Sequence, residues 1–212
     1  EEGLRELAGK PLYQYVIEHA RQSTLVSTII VSTDSEEVAK DAREAGIDHV
    51  QIRNEEESRF DVLLEQMMKD SLEKIEEEGI IPDVFVMLET TFPFRNHELI
   101  DKLIVHFVEG GFDTVIPARK EFNSCWMEEE GAYRRIDEGH ISRQFKQPFF
   151  TGLKGLCCVC SPATVREGLF FGDKVGLVEI TDSIPAIEIQ SDTDVVLAET
   201  ILASSLFQGT VD

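Results

Sequence analysis

Asp83-Val84-Phe85-Val86-Met87-Leu88 runs directly into Glu89-Thr90-Thr91-Phe92-Pro93-Phe94-Arg95, and the join between these two stretches decides the fold. The first stretch is too short for a helix and apolar at every position from Val84 to Leu88, the mark of a strand buried on both faces at the centre of a sheet. The second holds a carboxylate, two hydroxyls, a proline-fixed turn and an arginine. Such groups are costly to leave unpartnered at the end of a buried strand. In open α/β sheets, ligands bind beyond the carboxyl ends of strands, so residues 89–95 are a first place to look for a site. A helix over 98–109 follows, stopped by Gly110-Gly111.

The same alternation of β-branched runs and amphipathic segments extends both ways from this join, the signature of an α/β sheet. Upstream, Pro11 stands where a helix start tolerates proline, and Leu12–Gln22 reads as the first helix. Residues 27–32 read as a strand, Asp34 or Ser35 as the cap of a helix ending near Gly46, 48–52 as a short strand and 61–78 as a long helix stopped by Gly79. Downstream, 114–117, 156–160, 174–180 and 186–189 read as strands and 192–205 as a closing helix. Residues 122–150 break the pattern with charge, aromatics and the lone Trp126, and read as an arm protruding within 120–152 of a single domain over 1–212.

Acidic residues outnumber basic ones by 41 to 20 in 212 residues, a formal charge of −21. That excludes a general nucleic-acid binder, which needs a cationic face, and an anionic membrane surface as partner. Hydrophobic residues make up 42% of the chain, including 13 Phe, enough for a sizeable core. No apolar run approaches the ~20 residues of a membrane span and no signal peptide opens the chain, so a cytoplasmic protein is expected. Three of the four cysteines, Cys157, Cys158 and Cys160, crowd one run. Neither the spacing of a zinc site nor that of a disulfide framework is present; alternation puts Cys158 and Cys160 on one strand face and Cys157 on the other, as packing residues.

Four constellations carry chemistry. Ser32-Thr33-Asp34 ends a strand and begins a helix, where it serves either as a cap or, through hydroxyls and free N–H groups, as a nucleotide contact. Glu89 and Thr90 follow the central strand, and Arg95 is placed to anchor their turn to a backbone carbonyl or a carboxylate. Glu188 and Gln190 alternate onto one face and offer two oxygen ligands for Mg²⁺, while Asp192 and Asp194 cap the last helix. Arg143, Gln144 and Lys146 bring positive charge to the arm, suiting an anionic ligand or a subunit interface. No HExxH or GxSxG pattern is present, so zinc hydrolase and serine-nucleophile chemistry are not indicated.

In order along the chain, Leu4-Arg5-Glu6-Leu7-Ala8-Gly9-Lys10-Pro11-Leu12, Ile29-Ile30-Val31-Ser32-Thr33-Asp34, the single Arg53, the Thr90–Arg95 turn and the stretch 187–199 resemble the acylneuraminate cytidylyltransferases, the CMP-sialic acid synthetases. The resemblance implies a Rossmann-like, mostly parallel sheet flanked by helices, of the nucleotide-diphospho-sugar transferase type, and a homodimer whose arm reaches the partner's site. It implies transfer of CMP from CTP to an acidic sugar of the sialic or 2-keto-3-deoxy acid type, with Mg²⁺ and release of pyrophosphate. By position, Arg53 matches the nucleotide-contacting arginine, with Ser32 and Asp34 beside it. Glu89 matches a sugar-contacting glutamine, with Thr90 next to it. Arg143 matches an arm arginine near the sugar, with Gln144, and Glu188 and Gln190 match the two metal-binding aspartates that carry catalysis.

The family's pattern opens with a strand and a basic phosphate loop of the form IPARxGSK. Here Ile116-Pro117-Ala118-Arg119-Lys120 spells a similar string, but it follows a late strand and opens onto no helix. Glu2-Gly3 stand where the family has Lys-Asn. Gln190 is neutral, which weakens a metal site, and Glu89 is set against a sugar carboxylate. The transferase is the favoured reading because the pattern runs the length of the chain; the alternative is a non-catalytic relative that binds a nucleotide, a sugar or a partner protein.

Overall fold

Four of the amphipathic segments begin as helices where a side chain accepts from a first-turn N–H, at Ser35, Asn96, Ser161 and Ser191. The computed structural model describes residues 2–47, 49–54, 63–137, 142 and 144–204. After a 3-10 turn at Glu2–Leu4 come β1 (Glu6–Leu7), β2 (Lys10–Pro11), α1 (Leu12–Gln22), β3 (Ile30–Thr33), α2 (Glu36–Glu44), β4 (His49–Ile52), α3 (Leu64–Glu77), β5 (Phe85–Met87) and α4 (His97–Gly110). Then follow β6 (Thr114–Glu121), β7 (Trp126–Glu129), β8 (Ala132–Arg135), β9 (Phe149–Gly152), β10 (Cys158–Cys160), α5 (Pro162–Arg166), β11 (Val175–Glu179) and α6 (Asp192–Ala203). Ser35 caps α2 by accepting from the Val38 N–H at 3.3 Å, and Asn96 caps α4 through the Leu99 N–H at 2.9 Å. Ser191 and Asp194 form a reciprocal capping box on α6. Gly111, at φ +57°, closes α4 in the left-handed conformation that glycine adopts without penalty.

The main sheet has the order β11-β6-β10-β5, with β9 paired to the distal half of β6. Here the expected mostly parallel arrangement is corrected to a mixed one. Only β11 and β6 run parallel; β10 is antiparallel to both β6 and β5, and β9 is antiparallel to β6. The reason lies in the connection. No described helix intervenes between β6 and β10, so the chain folds back through the β7–β8 hairpin and β9 and re-enters the sheet in the opposite sense. A second correction concerns 186–189, which forms no strand. Tight turns, Ala186 N–H to Ser183 O and Ile187 N–H to Ile184 O, occupy the backbone around Pro185, and the Ile189 N–H bonds a loop carbonyl instead of a strand.

Two apolar layers sandwich the sheet. On one side α4 delivers Leu99, Ile100, Leu103, Ile104 and Phe107 onto Val115, Cys157, Val159 and Val178. On the other, Met68, Leu72 and Ile75 of α3 meet Met87, Ile116, Cys158, Cys160 and Phe170. The cysteines thus divide between faces as alternation requires, all three fully buried as free thiols. Full burial of a side chain such as Leu103 is worth about 1.5–3 kcal/mol.

β3 and β4 form a separate parallel pair. Ile30 of β3 packs in the same apolar cluster as Phe85 and Met87 of β5, yet among the described residues the two strands share no ladder. Each therefore presents one unpaired edge, and Phe85 and Val86 of the most apolar strand remain only half-buried.

Candidate active site

Because β3 and β4 are parallel, their carboxyl ends coincide, and three sequence-nominated residues meet there. Arg53 continues β4 by donating its N–H to Thr33 O at 2.8 Å. Its guanidinium returns to β3, with Nη1 2.8 Å from Ser32 O and 3.3 Å from Ser32 Oγ, and Nη2 3.7 Å from Asp34 Oδ1. Arg53 Nε is buried and has no hydrogen-bond partner among the described residues. The Ser32, Asp34 and Arg53 set is one constellation, with hydroxyl, carboxylate and guanidinium around a strand end.

A second constellation forms at the carboxyl end of β5. The turn Thr91-Phe92-Pro93-Phe94-Arg95 is buried at every position, and Arg95 has no exposed surface. Its guanidinium donates to three backbone carbonyls: Nη2 to Glu89 O at 2.8 Å and to Gly155 O at 3.0 Å, and Nε to Leu156 O. Burial lowers its pKa to about 10, opposed by the Cys157 thiol and the Glu89 carboxylate. The Glu89 N–H donates to Gly155 O at 2.9 Å. His19 of α1 reaches the turn through Nε2, 3.1 Å from Pro93 O; burial lowers its pKa, as does the Arg95 charge, against the bond to Pro93.

Glu188 joins this constellation through Thr91, whose Oγ1 donates to Glu188 Oε1 at 3.5 Å while the Ile189 N–H donates to Thr91 O at 2.8 Å. Ile189 is buried among Leu7, Leu12, Phe94 and Ala198, so it anchors the segment and leaves Glu188 half-buried and Gln190 exposed on either side. The Gln190 N–H serves the α6 cap, donating to Asp194 Oδ2 at 3.1 Å. The Ser191 hydroxyl and the N–H groups of Gln190 and Ser191 hold the Asp194 carboxyl below the usual range. Asp194 is thus committed to capping. Thr90 is half-buried and backs onto Gly3, where a side-chain Cβ would lie 3.6 Å from the Thr90 methyl. The Glu2-Gly3 departure therefore borders the site.

The arm corrects one nomination. Lys146 is not available to an anionic ligand: its ammonium is nearly fully covered, 2.8 Å from Asp137 Oδ2 and 2.8 Å from each of Phe122 O and Asn123 O. Arg135 grips the same carboxylate at 2.7 Å, and the Cys125 N–H donates to Asp137 at 3.0 Å. Arg135 and Lys146 together hold Asp137 well below the usual carboxylate range. Gln144 is exposed, and Arg143 lies outside the described residues. Sequence reading missed Gly155, Thr91 as the link to Glu188, and Asp137. The glycine's meaning shows only in space, because a Cβ there would fall 2.7 Å from the Glu89 carboxyl carbon.

Residues 3–130 match the cytidylyltransferase family model. Similar proteins include the CMP-N,N'-diacetyllegionaminic acid synthase of Legionella pneumophila, 34% identical over 107 residues, 50% of this chain and 46% of that one. The 3-deoxy-manno-octulosonate cytidylyltransferase of Lawsonia intracellularis is 30% identical over 107 residues, 50% of this chain and 39% of that one. The matched region thus spans less than half the length of both relatives. Post-translational flagellin modification protein B of Campylobacter coli is 24% identical over 97% of this chain and 90% of its own. Among solved structures, CMP:2-keto-3-deoxy-manno-octonic acid synthetase complexed with CTP superposes with a TM-score of 0.65 at 14% identity, covering 95% of this chain and 91% of its own. The 4-diphosphocytidyl-2C-methyl-D-erythritol synthase of Anaerococcus prevotii gives 0.67 at 15%, covering 96% and 92%; both share the fold. With the family match spanning more than half of the chain, the protein belongs to the cytidylyltransferase family.

Proposed function

We propose that the protein transfers CMP from CTP to an acidic sugar of the sialic or 2-keto-3-deoxy acid type, releasing pyrophosphate. The observation that carries this reading is the convergence of Ser32, Asp34 and Arg53 where β3 and β4 end together. A hydroxyl of the sugar attacks the α-phosphorus of CTP, a new P–O bond forms, the bond to the β-phosphate breaks to release pyrophosphate, and the hydroxyl proton passes to solvent. The demand on the protein is positioning and neutralisation of charge. Arg53 would meet the nucleotide, Glu89 and Thr90 the sugar, and Arg143 and Gln144 its far side from the arm.

Glu188 and Gln190 fit Mg²⁺ in donor chemistry: both offer oxygen, and the buried Ile189 between them fixes their spacing. When bound there with the triphosphate, the cation would offset developing charge on the phosphates. Glu188 is held toward this place by the Thr91 hydroxyl. Trp126, Tyr133 and Phe145 are 58%, 73% and 71% exposed on the arm, the kind of surface that a homodimer covers. Four free thiols suit the reducing cytoplasm. Among the described residues no helix is long and apolar enough to cross a membrane.

The test is pyrophosphate release by the full-length protein from CTP, Mg²⁺ and a panel of sialic and 2-keto-3-deoxy acids. Release with one of them is expected. No release with any, together with no CTP-dependent thermal shift, overturns the proposal. A second reading, binding without turnover, draws on the exposed and neutral Gln190. It requires an inactive wild type, with activity restored in a Gln190→Asp, Glu89→Gln double variant.

A further inference from the structure

A fully buried guanidinium that spends its hydrogen bonds on backbone carbonyls is an expensive way to fill space. Desolvating the charge is costly, and an apolar side chain would fill the same volume without that penalty. Arg95 nonetheless sits with no exposed surface at the end of the buried turn, and its Nη1 has no hydrogen-bond partner among the described residues. Its three bonds all go to backbone carbonyls on two separate loops. One is Glu89 O, at the end of β5; the others are Gly155 O and Leu156 O, ahead of β10. Glu89 is held at both of its backbone polar groups, its N–H by Gly155 O and its carbonyl by Arg95. The Glu89 side chain then passes over the bare Cα of Gly155. The same turn carries Thr91, which holds Ile189 through its carbonyl and Glu188 through its hydroxyl.

We propose that Arg95 is a positioning residue for transfer: its guanidinium ties the β5 turn to the 153–156 loop, and so sets Glu89 and Glu188 in one fixed arrangement. The arrangement has two arms. One runs from Arg95 through the Glu89 carbonyl to the Glu89 side chain. The other runs along the turn from Arg95 to Thr91, and from there to Glu188. The nucleotide set on β3 and β4 belongs to neither arm. Disturbing Arg95 therefore acts on the sugar through Glu89 and on the implied Mg²⁺ through Glu188, and leaves the proposed contacts of Ser32, Asp34 and Arg53 with the nucleotide intact. The kinetic half of this role rests on the proposed transfer; the structural half does not.

Arg95→Lys tests it, since an ammonium keeps the charge but spans fewer of the three carbonyls. Amide hydrogen exchange is read first, without any substrate. Exchange at Glu89 and Ile189 should accelerate roughly tenfold or more, while Val159 in β10 stays within about twofold of wild type. Uniform acceleration, or none at Glu89 and Ile189, overturns the proposal. Kinetics are read second, at saturating Mg²⁺: kcat should fall by up to roughly 100-fold, with the sugar KM raised and the CTP KM unchanged. Equal changes in both KM values, or none in kcat, overturn the proposal. If Arg95→Lys does not fold, Gly155→Ala crowds Glu89 from the other loop with Arg95 intact. It should then raise the sugar KM alone, and an unchanged sugar KM counts against the proposal. If wild type releases no pyrophosphate from any sugar, the transfer reading fails, while the exchange experiment still decides the role of Arg95.

Discussion

Glu188 and Gln190 are separated by one buried residue and differ by one unit of charge, which makes the proposed metal site adjustable by a single substitution. Near a divalent cation a few ångström away, an added carboxylate is worth about 2 kcal/mol even in water. Gln190→Asp is therefore expected to lower the half-saturating Mg²⁺ concentration by roughly tenfold, measured by titrating pyrophosphate release. Thr91→Val, which removes the hydroxyl that holds Glu188, should act in the opposite direction. His19 gives a second residue-scale outcome. Its pKa lies below the ordinary 6.5 because burial disfavours the imidazolium, so the folded protein takes up this proton later than the unfolded chain. The stability it lends is fully present above pH 6.5 and is lost as pH falls below it. Between pH 7.5 and 5.5 the melting temperature of wild type should drop more steeply than that of His19→Gln, which is suited to donate to Pro93 O and has no titration there. Parallel slopes would refute this account. At this scale the site was partly legible. Strand-end position nominated Ser32, Asp34 and Glu89, and the Arg95 bond to carbonyls was anticipated. Lys146 misled because a position in sequence does not say which carboxylate folding will bring to it.

Elements were more legible than their directions. α1 runs over the residues its periodicity marks, Ser35 and Asn96 cap where polar side chains precede amphipathic runs, and glycines stop α3 and α4. Strand sense was not readable, because alternation is the same in parallel and antiparallel pairs. The return of β10 depends on the arm folding back, not on any residue in Cys158–Cys160. The segment 186–189 misled for a related reason: Ile187 and Ile189 alternate as in a strand, but no strand edge is beside them. Two stability outcomes belong here. Ser191→Ala removes the capping box of α6 and should cost about 1 kcal/mol, a fall in melting temperature of roughly 2–4 °C by calorimetry. In the arm, Asp137 draws together Arg135, Lys146 and the Cys125 N–H, so Asp137→Asn leaves two cations facing each other. The β7–β8 hairpin should then be cut by limited proteolysis faster than in wild type, with the core intact. Since the folded Asp137 stays ionised far below the usual range, its contribution holds at neutral pH and is lost only as pH falls beneath about 4.

At the scale of the whole molecule, a charge of −21 stands against the proposed substrates, for CTP, a sugar acid and pyrophosphate are all anions. Many enzymes for anionic ligands gain on-rate from a matching field; the proposed reaction would have to overcome an opposing field. The favourable charge is local, at the proposed nucleotide contact Arg53 and the proposed Mg²⁺, and acts over a few ångström. The opposing charge is spread over the surface and acts at long range. Salt separates the two, because the Debye length falls from ~30 Å at 0.01 M to ~8 Å at 0.15 M, which removes long-range repulsion first. At fixed free Mg²⁺, raising KCl over that interval is therefore expected to increase kcat/KM for CTP several-fold, the reverse of a steered enzyme. The rise should sit in KM and leave kcat nearly constant, since screening changes encounter rather than the bound geometry. A kcat/KM that falls with salt would mean that the local cations dominate the approach as well, and that the acidic surface is directed away from the site.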